Sequence, residues 1–226
     1  MPPPAVKEKF GPTLPRIVGP WLRARPRGVR LGLLAVVAAI VLVVVAGALW
    51  WTLGRQEGGQ TYTRDEAPSF TFRFQGPLKE ARPERAEYVR LASTAPSGRI
   101  VSTFAVEPLV IPAGGDRGIY GSLPVVANAR ARELSRRYAD FKVVQESTTR
   151  IGGDPGYATV FEARRGTRVI YGRDVLVPDR SLAGGRRGVA IVLTDTRGPR
   201  VTSAPAVGFV EPLRRPMSTF VLYGAE

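Results

Sequence analysis

The sequence predicts an α+β fold in which a mostly antiparallel sheet is flanked by helices and preceded by one transmembrane helix. Residues 31–54 contain no charged side chain. The rest of the chain has short segments that alternate apolar and polar residues, and one segment, 122–140, with the period of a helix. Several strands with one long helix and a short C-terminal one indicate α+β architecture.

The apolar run 31–54 is the predicted transmembrane helix. At about 1.5 Å rise per residue, a helix of this length crosses a hydrocarbon core of about 30 Å with some tilt. The run also lacks the polar face that a core helix keeps. A cleaved signal peptide is an alternative, because Ala46 and Ala48 form a small-x-small site, but the apolar core of a signal peptide has only about 7 to 15 residues. A secreted soluble form released near Ala48 therefore stands beside the uncleaved anchor as a second hypothesis.

Charges beside the run predict its orientation. The first thirty residues carry seven basic side chains and one acidic side chain, and basic residues next to a span favour the cytoplasmic side. We therefore expect a cytoplasmic N-terminus and export of residues 55–226, which is type II single-pass topology in the cell membrane. Trp21 and Arg30 before the run, and Trp50 and Trp51 at its outer end, are predicted to lie at the interface with the lipid bilayer.

Composition divides the remaining chain into three parts. Residues 1–30 hold seven prolines and no apolar periodicity, which predicts a disordered, basic cytoplasmic tail. Residues 55–67 are glycine-containing and polar, which predicts a linker. Residues 68–226 are long enough for one exported α+β domain with its own core.

The chain contains neither histidine nor cysteine. It therefore lacks disulfides, a lipoprotein anchor, the usual general base near neutral pH and the commonest zinc ligand. The glycine pairs at 114/115, 152/153 and 184/185 lack the spacing of a phosphate-binding loop and are predicted to be turns. The sequence thus predicts no catalytic residue, cofactor or metal site, and a non-enzymatic protein. A histidine-free envelope enzyme that uses two carboxylates is the alternative.

Arginine dominates the formal net charge of +14. Twenty-nine of the 33 basic residues are arginine and asparagine occurs once, which is typical of GC-rich codons and points to a high-GC bacterium. Clustered guanidinium groups can hold carboxylates or phosphates, so Arg136, Arg137, Arg186 and Arg187 are predicted contacts to an envelope protein, anionic lipid or an acidic wall polymer. The alternative is a scattered, solvated surface. Nucleic acid is not an expected partner of an exported domain.

Periodicity places the elements of the domain in order. Phe70, Phe72 and Phe74 alternate with polar residues and predict a strand, and a polar loop follows over 76–87. Segments 88–95 and 100–106 flank the turn Pro-Ser-Gly-Arg and predict a hairpin. The predicted helix has Ser122 as its N-cap and Pro124 in its first turn. Further strands are predicted at 141–149, 157–163, 169–177 and 189–194.

This order of elements resembles the Mog1/PsbP-like superfamily. The resemblance covers about residues 68–222 and is carried by the helix, the following strand, the segment Ile-Gly-Gly-Asp-Pro-Gly-Tyr at 151–157, the strand at 190–194 and the closing Ser-Thr-Phe at 218–220. It implies an antiparallel sheet flanked by helices and a non-enzymatic accessory or binding role. No functional residue carries over, and Pro212 and Pro216 are expected to interrupt the closing helix. The predicted function is a membrane-anchored, extracytoplasmic binding or assembly accessory module.

Overall fold

The structure, a computed structural model, describes residues 39, 41–43, 59–84, 86–112, 118–180 and 186–223. The predicted tail, most of the predicted span and the four predicted interface residues, Trp21, Arg30, Trp50 and Trp51, lie outside the described residues. Ala39 and residues 41–43, within the predicted span, are helical and exposed. Within the described part of the chain, no helix has the length and apolar character needed to cross a membrane.

The chain divides into two compact units, 1–56 and 57–226. The described part of the second unit is rich in strands and contains two short helical segments besides one long helix. In chain order its elements are β1 (Gln60–Arg64), β2 (Ser69–Phe74), β3 (Lys79–Ala81), β4 (Val89–Thr94), β5 (Ile100–Val110), α1 (Gly118–Arg137), β6 (Ala139–Ile151), β7 (Asp154–Arg165), β8 (Arg168–Asp179), β9 (Arg187–Thr196), the 3-10 turn Ala204–Ala206, α2 (Arg214–Ser218) and β10 (Val221–Tyr223).

The strands form two sheets in which every described pair is antiparallel. The large sheet has the order β3-β4-β5-β9-β8-β7-β6, and the small sheet has the order β1-β2-β10. The predicted α+β class with a mostly antiparallel sheet is therefore confirmed. The second, smaller sheet was not predicted.

The small sheet packs on one face of the large sheet through aromatic side chains. Phe70, Phe72 and Phe74 of β2 are almost fully buried, which confirms the apolar face predicted from their period of two. The ring of Phe72 lies 4.8 Å from that of Phe104 on β5, centre to centre, and 6.0 Å from that of Phe220. These rings belong to the main core, which the chain between β9 and β10 also covers.

Helix α1 covers the opposite face of the large sheet and packs mainly over β6, β7 and β8. Its buried side chains recur at helical spacing, at Leu123, Val126, Ala127 and Leu134. They meet two clusters that include Leu109, Phe161, Ile170 and Leu176 of the sheet. Strand β8 is buried along nearly its whole length because both faces of the sheet are covered here.

Three predicted boundaries need correction. Helix α1 begins at Gly118, so Ser122 is not its N-cap: the Ser122 hydroxyl donates to the Gly118 carbonyl one turn back, at 3.0 Å, and Pro124 lies inside the helix. Strand β1 occupies part of the predicted linker 55–67, because the ring of Tyr62 stacks on Phe72, 5.3 Å away. The short strand β3 occupies part of the predicted loop 76–87.

The predicted hairpins agree with the structure. Strands β4 and β5 pair through the turn at 95–99, where Gly98 has a φ of +75°. Gly152 and Gly153 form the turn between β6 and β7, also with positive φ, which confirms the turn predicted for this glycine pair. A Cβ at Gly152 would also lie 2.6 Å from the carbonyl oxygen of Phe220. The glycine pairs 114/115 and 184/185 lie outside the described residues.

A test of this packing uses Gly172 on β8, which lies opposite Phe161 on β7. A Cβ at Gly172 would overlap the ring of Phe161, which is fully buried. We expect Gly172→Ala to lower the free energy of unfolding by about 1 to 3 kcal/mol through overpacking, measured by urea titration of the full-length protein in detergent. Circular dichroism is the appropriate signal, because all three tryptophans precede residue 57.

Gly198→Ala is the matched control, since the nearest neighbour of its Cβ would be the Thr196 carbonyl oxygen at 3.8 Å. Combining Gly172→Ala with Phe161→Leu should cost less than the sum of the two single changes. Additive costs would show that Phe161 does not determine the requirement for glycine.

Candidate functional site

A group of mostly buried charged side chains joins helix α1 to the large sheet. We call it the Arg130 cluster; its members are Arg130, Glu133 and Arg137 of α1, Glu107 of β5 and Asp174 of β8. The Nε atom of Arg130 donates to the Asp174 carboxylate at 2.9 Å, and its Nη2 atom donates to the Glu107 carboxylate at 2.9 Å. Arg130 thus connects two strands across β9, where the small residue Ala190 lies opposite Glu107.

Arg137 extends the cluster and lies about two turns after Arg130 in the helix. It donates to Glu107 at 2.6 Å and to Glu133, four residues earlier in the same helix, at 2.5 Å. Glu107 therefore accepts hydrogen bonds from two guanidinium groups. The cluster fixes the last two turns of α1 over β5 and β8.

Burial and charge move the pKa values of the cluster in different directions. Burial favours the neutral form of Glu107, but its hydrogen bonds and charge interactions with Arg137 and Arg130 more than offset this and lower its pKa below the ordinary 4.5. Burial raises the pKa of Asp174 despite the adjacent Arg130, because the Asp174 side chain is only 2% exposed. Arg130 stays charged, since its two carboxylate partners outweigh burial and raise its pKa.

Two carboxylates with pKa values moved apart are also what the enzyme alternative requires. Glu107 and Asp174 satisfy that condition, yet both are buried, both are bound by Arg130, and neither lines either of the cavities described next. Among the described residues, both carboxylates are thus covered and bound by an arginine. Their arrangement supports a structural role for the pair.

Beside the C-terminal end of α1 lies an opening of about 360 Å³, which we call the basic cleft. Four guanidinium groups line it together with two carboxylates, a tyrosine and an isoleucine: Arg90, Arg136, Arg137, Arg165, Glu84, Glu87, Tyr138 and Ile100. Glu87 and Glu84 neutralise Arg90, at 2.6 Å and 3.1 Å. Arg137 is held by the Arg130 cluster.

Two arginines of the basic cleft have no carboxylate partner within the described ranges. Arg136 is exposed and makes no ion pair there. Arg165, at the end of β7, is half-buried: its guanidinium carbon lies 5.5 Å from the centre of the Tyr138 ring, and one of its nitrogens donates weakly to Tyr138 and Thr194 at 3.4 Å. An anion entering the cleft would find both positive charges uncompensated.

The structure separates the predicted arginine pairs. Arg136 and Arg137 lie near the end of α1, but only Arg136 is free to meet a ligand, because Arg137 binds Glu107 and Glu133. Arg186 and Arg187 are exposed at the start of β9, next to Val110 at the other end of β5. The two predicted pairs therefore do not form one patch.

Between the N-terminal half of α1 and the end of β5 lies a second opening, of about 550 Å³, which we call the apolar groove. Its walls are largely aliphatic and include Pro108, Val110, Val125 and Ala129, with Arg130 and Glu133 at one end. Val110 is 69% exposed and Val125 is 64% exposed. Apolar side chains this exposed along a groove are typical of surfaces that bind other molecules.

Arg165 is one of the arginine pairs in the sequence but is not among the predicted site residues, and neither Arg90 nor the apolar groove was predicted. Arg164 and Arg165 are neighbours at the end of β7, and their sequence does not distinguish them. Arg164 faces solvent and pairs with Asp140 at 3.1 Å. Val125 lies in the predicted helix and Val110 lies beyond the predicted strand 100–106, so only the packing shows that they face one opening. The described residues contain no group of three or more potential metal ligands.

Comparisons with known proteins return solved structures only. No protein-family model and no curated protein matches the chain. The solution structure of the cyanobacterial PsbP protein (CyanoP) of Synechocystis is similar at a TM-score of 0.49 and 12% identity, over 73% of this chain and 92% of that protein. A protein of unknown function from Pseudomonas aeruginosa, PA94, is similar at a TM-score of 0.31 and 15% identity, over 61% and 83%.

CyanoP is a PsbP protein, but a similarity at this level carries no argument for the Mog1/PsbP-like resemblance predicted from the sequence. Because both TM-scores are below 0.5 and both identities are below 25%, neither structure assigns a role to any residue here. The structure of this chain shows its fold class, a strand-rich α+β module with antiparallel sheets.

The Arg130 cluster predicts a pH-dependent effect of Glu107→Gln. Because the folded pKa of Glu107 lies below 4.5, its contribution to stability is complete above that pH and is lost as the pH falls through the folded value. We expect Glu107→Gln to lower the free energy of unfolding by about 1 to 3 kcal/mol at pH 7. The difference from the parent protein should shrink as the pH falls below 4.5, because Glu107 then binds a proton more readily in the unfolded chain than in the folded protein.

Urea titrations followed by circular dichroism between pH 7 and pH 3.5 measure both quantities. Glu66→Gln is the control: Glu66 pairs with Arg64 at 2.7 Å but its side chain is 82% exposed, so its change should cost less than about 0.5 kcal/mol. A difference for Glu107→Gln that stayed constant with pH would show that the charge of Glu107 is not what stabilises the fold.

Proposed function

We propose that this protein is a non-enzymatic, membrane-anchored binding or assembly accessory module of a bacterial envelope. Its N-terminus lies in the cytoplasm and its second unit outside the membrane. The uncharged run 31–54 and the basic residues before it support this placement. Val41, Leu42 and Val43 in that run are more than half exposed, which suits a lipid environment better than water.

The basic cleft is the observation that carries the binding role. It is an opening large enough for a side chain or a small head group, and it contains Arg136 and Arg165 without carboxylate partners in the described ranges. A guanidinium group held against an aromatic ring loses little rotamer entropy when it binds a carboxylate or phosphate. The ligand class is therefore an anionic group displayed by an envelope component.

The anchor is tested by fractionation and protease protection. We expect the full-length protein to stay with membranes after alkaline washing, and a variant lacking residues 31–54 to leave them. Protease added to the outer side should degrade the second unit and spare the N-terminal tail. An intact mass that begins at Leu49 would instead show the secreted form cleaved after Ala48.

The binding role is tested by site-specific photocrosslinking in the native membrane. Ile100 lines the basic cleft and is 41% exposed, so a photoreactive amino acid at position 100 samples what enters it. We expect Arg136→Gln combined with Arg165→Gln to reduce the crosslinked product at least tenfold. Two charge-assisted hydrogen bonds, at about 1.5 to 3 kcal/mol each, are then lost.

Arg132→Gln is the matched control, because Arg132 is an exposed arginine of the same helix that lines neither cavity. Arg186→Gln with Arg187→Gln tests the other predicted pair at the far end of β5. A product that depends on Arg186 and Arg187, and not on Arg136 and Arg165, would move the binding surface to that end.

A further inference from the structure

The apolar groove and the basic cleft lie along the same side of helix α1. Val125, Ala129 and Glu133 line the groove, and Arg136 and Arg137 line the cleft. These positions are three or four residues apart, so they form one stripe along the helix. On the opposite side, the two ends of β5 contribute Val110 to the groove and Ile100 to the cleft.

The two openings meet at the Arg130 cluster. Arg130 and Glu133 line the end of the groove, and Arg137, which binds Glu133 at 2.5 Å, lines the cleft. The surface between them is polar but open, because the Glu133 side chain is 48% exposed. From Val125 to Arg136 the helix rises about 16 Å, and an extended chain covers that length with about five residues.

We propose that the groove and the cleft form one trough that binds an extended segment of a partner protein. In that segment, apolar side chains occupy the groove and one or two carboxylates, about five residues away, reach Arg136 and Arg165 in the cleft. This inference rests on the proposed binding function and specifies its partner.

The charge pattern of the trough favours a protein segment over a membrane surface or a wall polymer. Glu84 at the cleft and Glu133 between the two openings are 66% and 48% exposed. Because both carboxylates are paired with arginines, Arg136 and Arg165 carry the uncompensated charge of the trough, which suits a single carboxylate better than a broad anionic surface. The aliphatic walls of the groove complement the apolar side chains of such a segment.

Side chains, and not backbone pairing, provide the recognition. Strand β4 pairs with β5 only as far as Val106, so β5 has a free edge beyond that residue in the described sheet. Pro108 lies on this edge segment and has no N-H to offer an added strand. A bound segment is therefore held mainly by its side chains.

Selection from a random dodecapeptide library displayed on phage tests the proposal, with the full-length protein in lipid nanodiscs as the target. We expect the enriched peptides to combine apolar residues with Asp or Glu about five positions away. The best peptide is then synthesised with a fluorescent label, and its affinity is measured by anisotropy against the parent protein and its variants.

Val125→Glu should lower the affinity for this peptide at least tenfold, because it places a charge in the groove. Arg136→Gln combined with Arg165→Gln should lower the affinity by a similar factor. Replacing the acidic residues of the peptide by their amides should remove the effect of the arginine changes and leave that of Val125→Glu. Val144→Glu is the matched control, because Val144 is an exposed valine, 47% accessible, on β6. Circular dichroism confirms that each variant is folded.

Three results would overturn the proposal. Acidic peptides that bind without apolar residues and ignore Val125→Glu would reduce the trough to an anion site, which leaves the proposed function intact. If no peptide is enriched, but phosphatidylglycerol vesicles bind in a way that depends on Arg136 and Arg165, the ligand is a lipid. If neither peptides nor vesicles bind, and the arginine changes do not affect crosslinking at position 100, the proposed function is wrong as well.

Discussion

The position of helix α1 depends on Arg130. Its guanidinium group binds Asp174 on β8 and Glu107 on β5, and thereby fixes the helix at a set height and rotation over the sheet. The aliphatic contacts of Leu123, Val126 and Leu134 provide most of the favourable burial, but such contacts tolerate sliding. The apolar groove lies between this helix and β5, and the basic cleft lies between the end of the helix and β4, β5 and β7, so the shape of both depends on the position of the helix.

Holding a helix by a buried ion pair requires an unfavourable desolvation of the charges. Removing charges from water costs several kcal/mol per ion, and apolar residues of similar volume often stabilise as well or better. We infer that the Arg130 cluster contributes specificity of position, because Arg130 must satisfy two carboxylates on strands that are not neighbours. Arg137 adds a second constraint through Glu107 and also supplies part of the wall of the cleft.

Local patterns predicted the elements that local interactions determine. The period of two at Phe70, Phe72 and Phe74, the turn containing Gly98 and the helical period near Leu134 each indicate their structure within a few residues of sequence. The start of α1 was misplaced because Ser122 and Pro124 form a good capping pattern, whereas the helix in fact begins four residues earlier. The small sheet was missed because β10 is three residues long and pairs with β2, which lies some 150 residues earlier in the chain.

The candidate site shows the same limit. Clustered arginines indicated a binding surface. Their sequence does not distinguish Arg136, which has no carboxylate partner among the described residues, from Arg137, which is neutralised by carboxylates on α1 and β5. Arg165 acquires its importance only because β7 ends beside Tyr138. Since a charge is available to a ligand only when the fold leaves it unpaired, the arginines that matter most here are identified by their missing partners and not by their number.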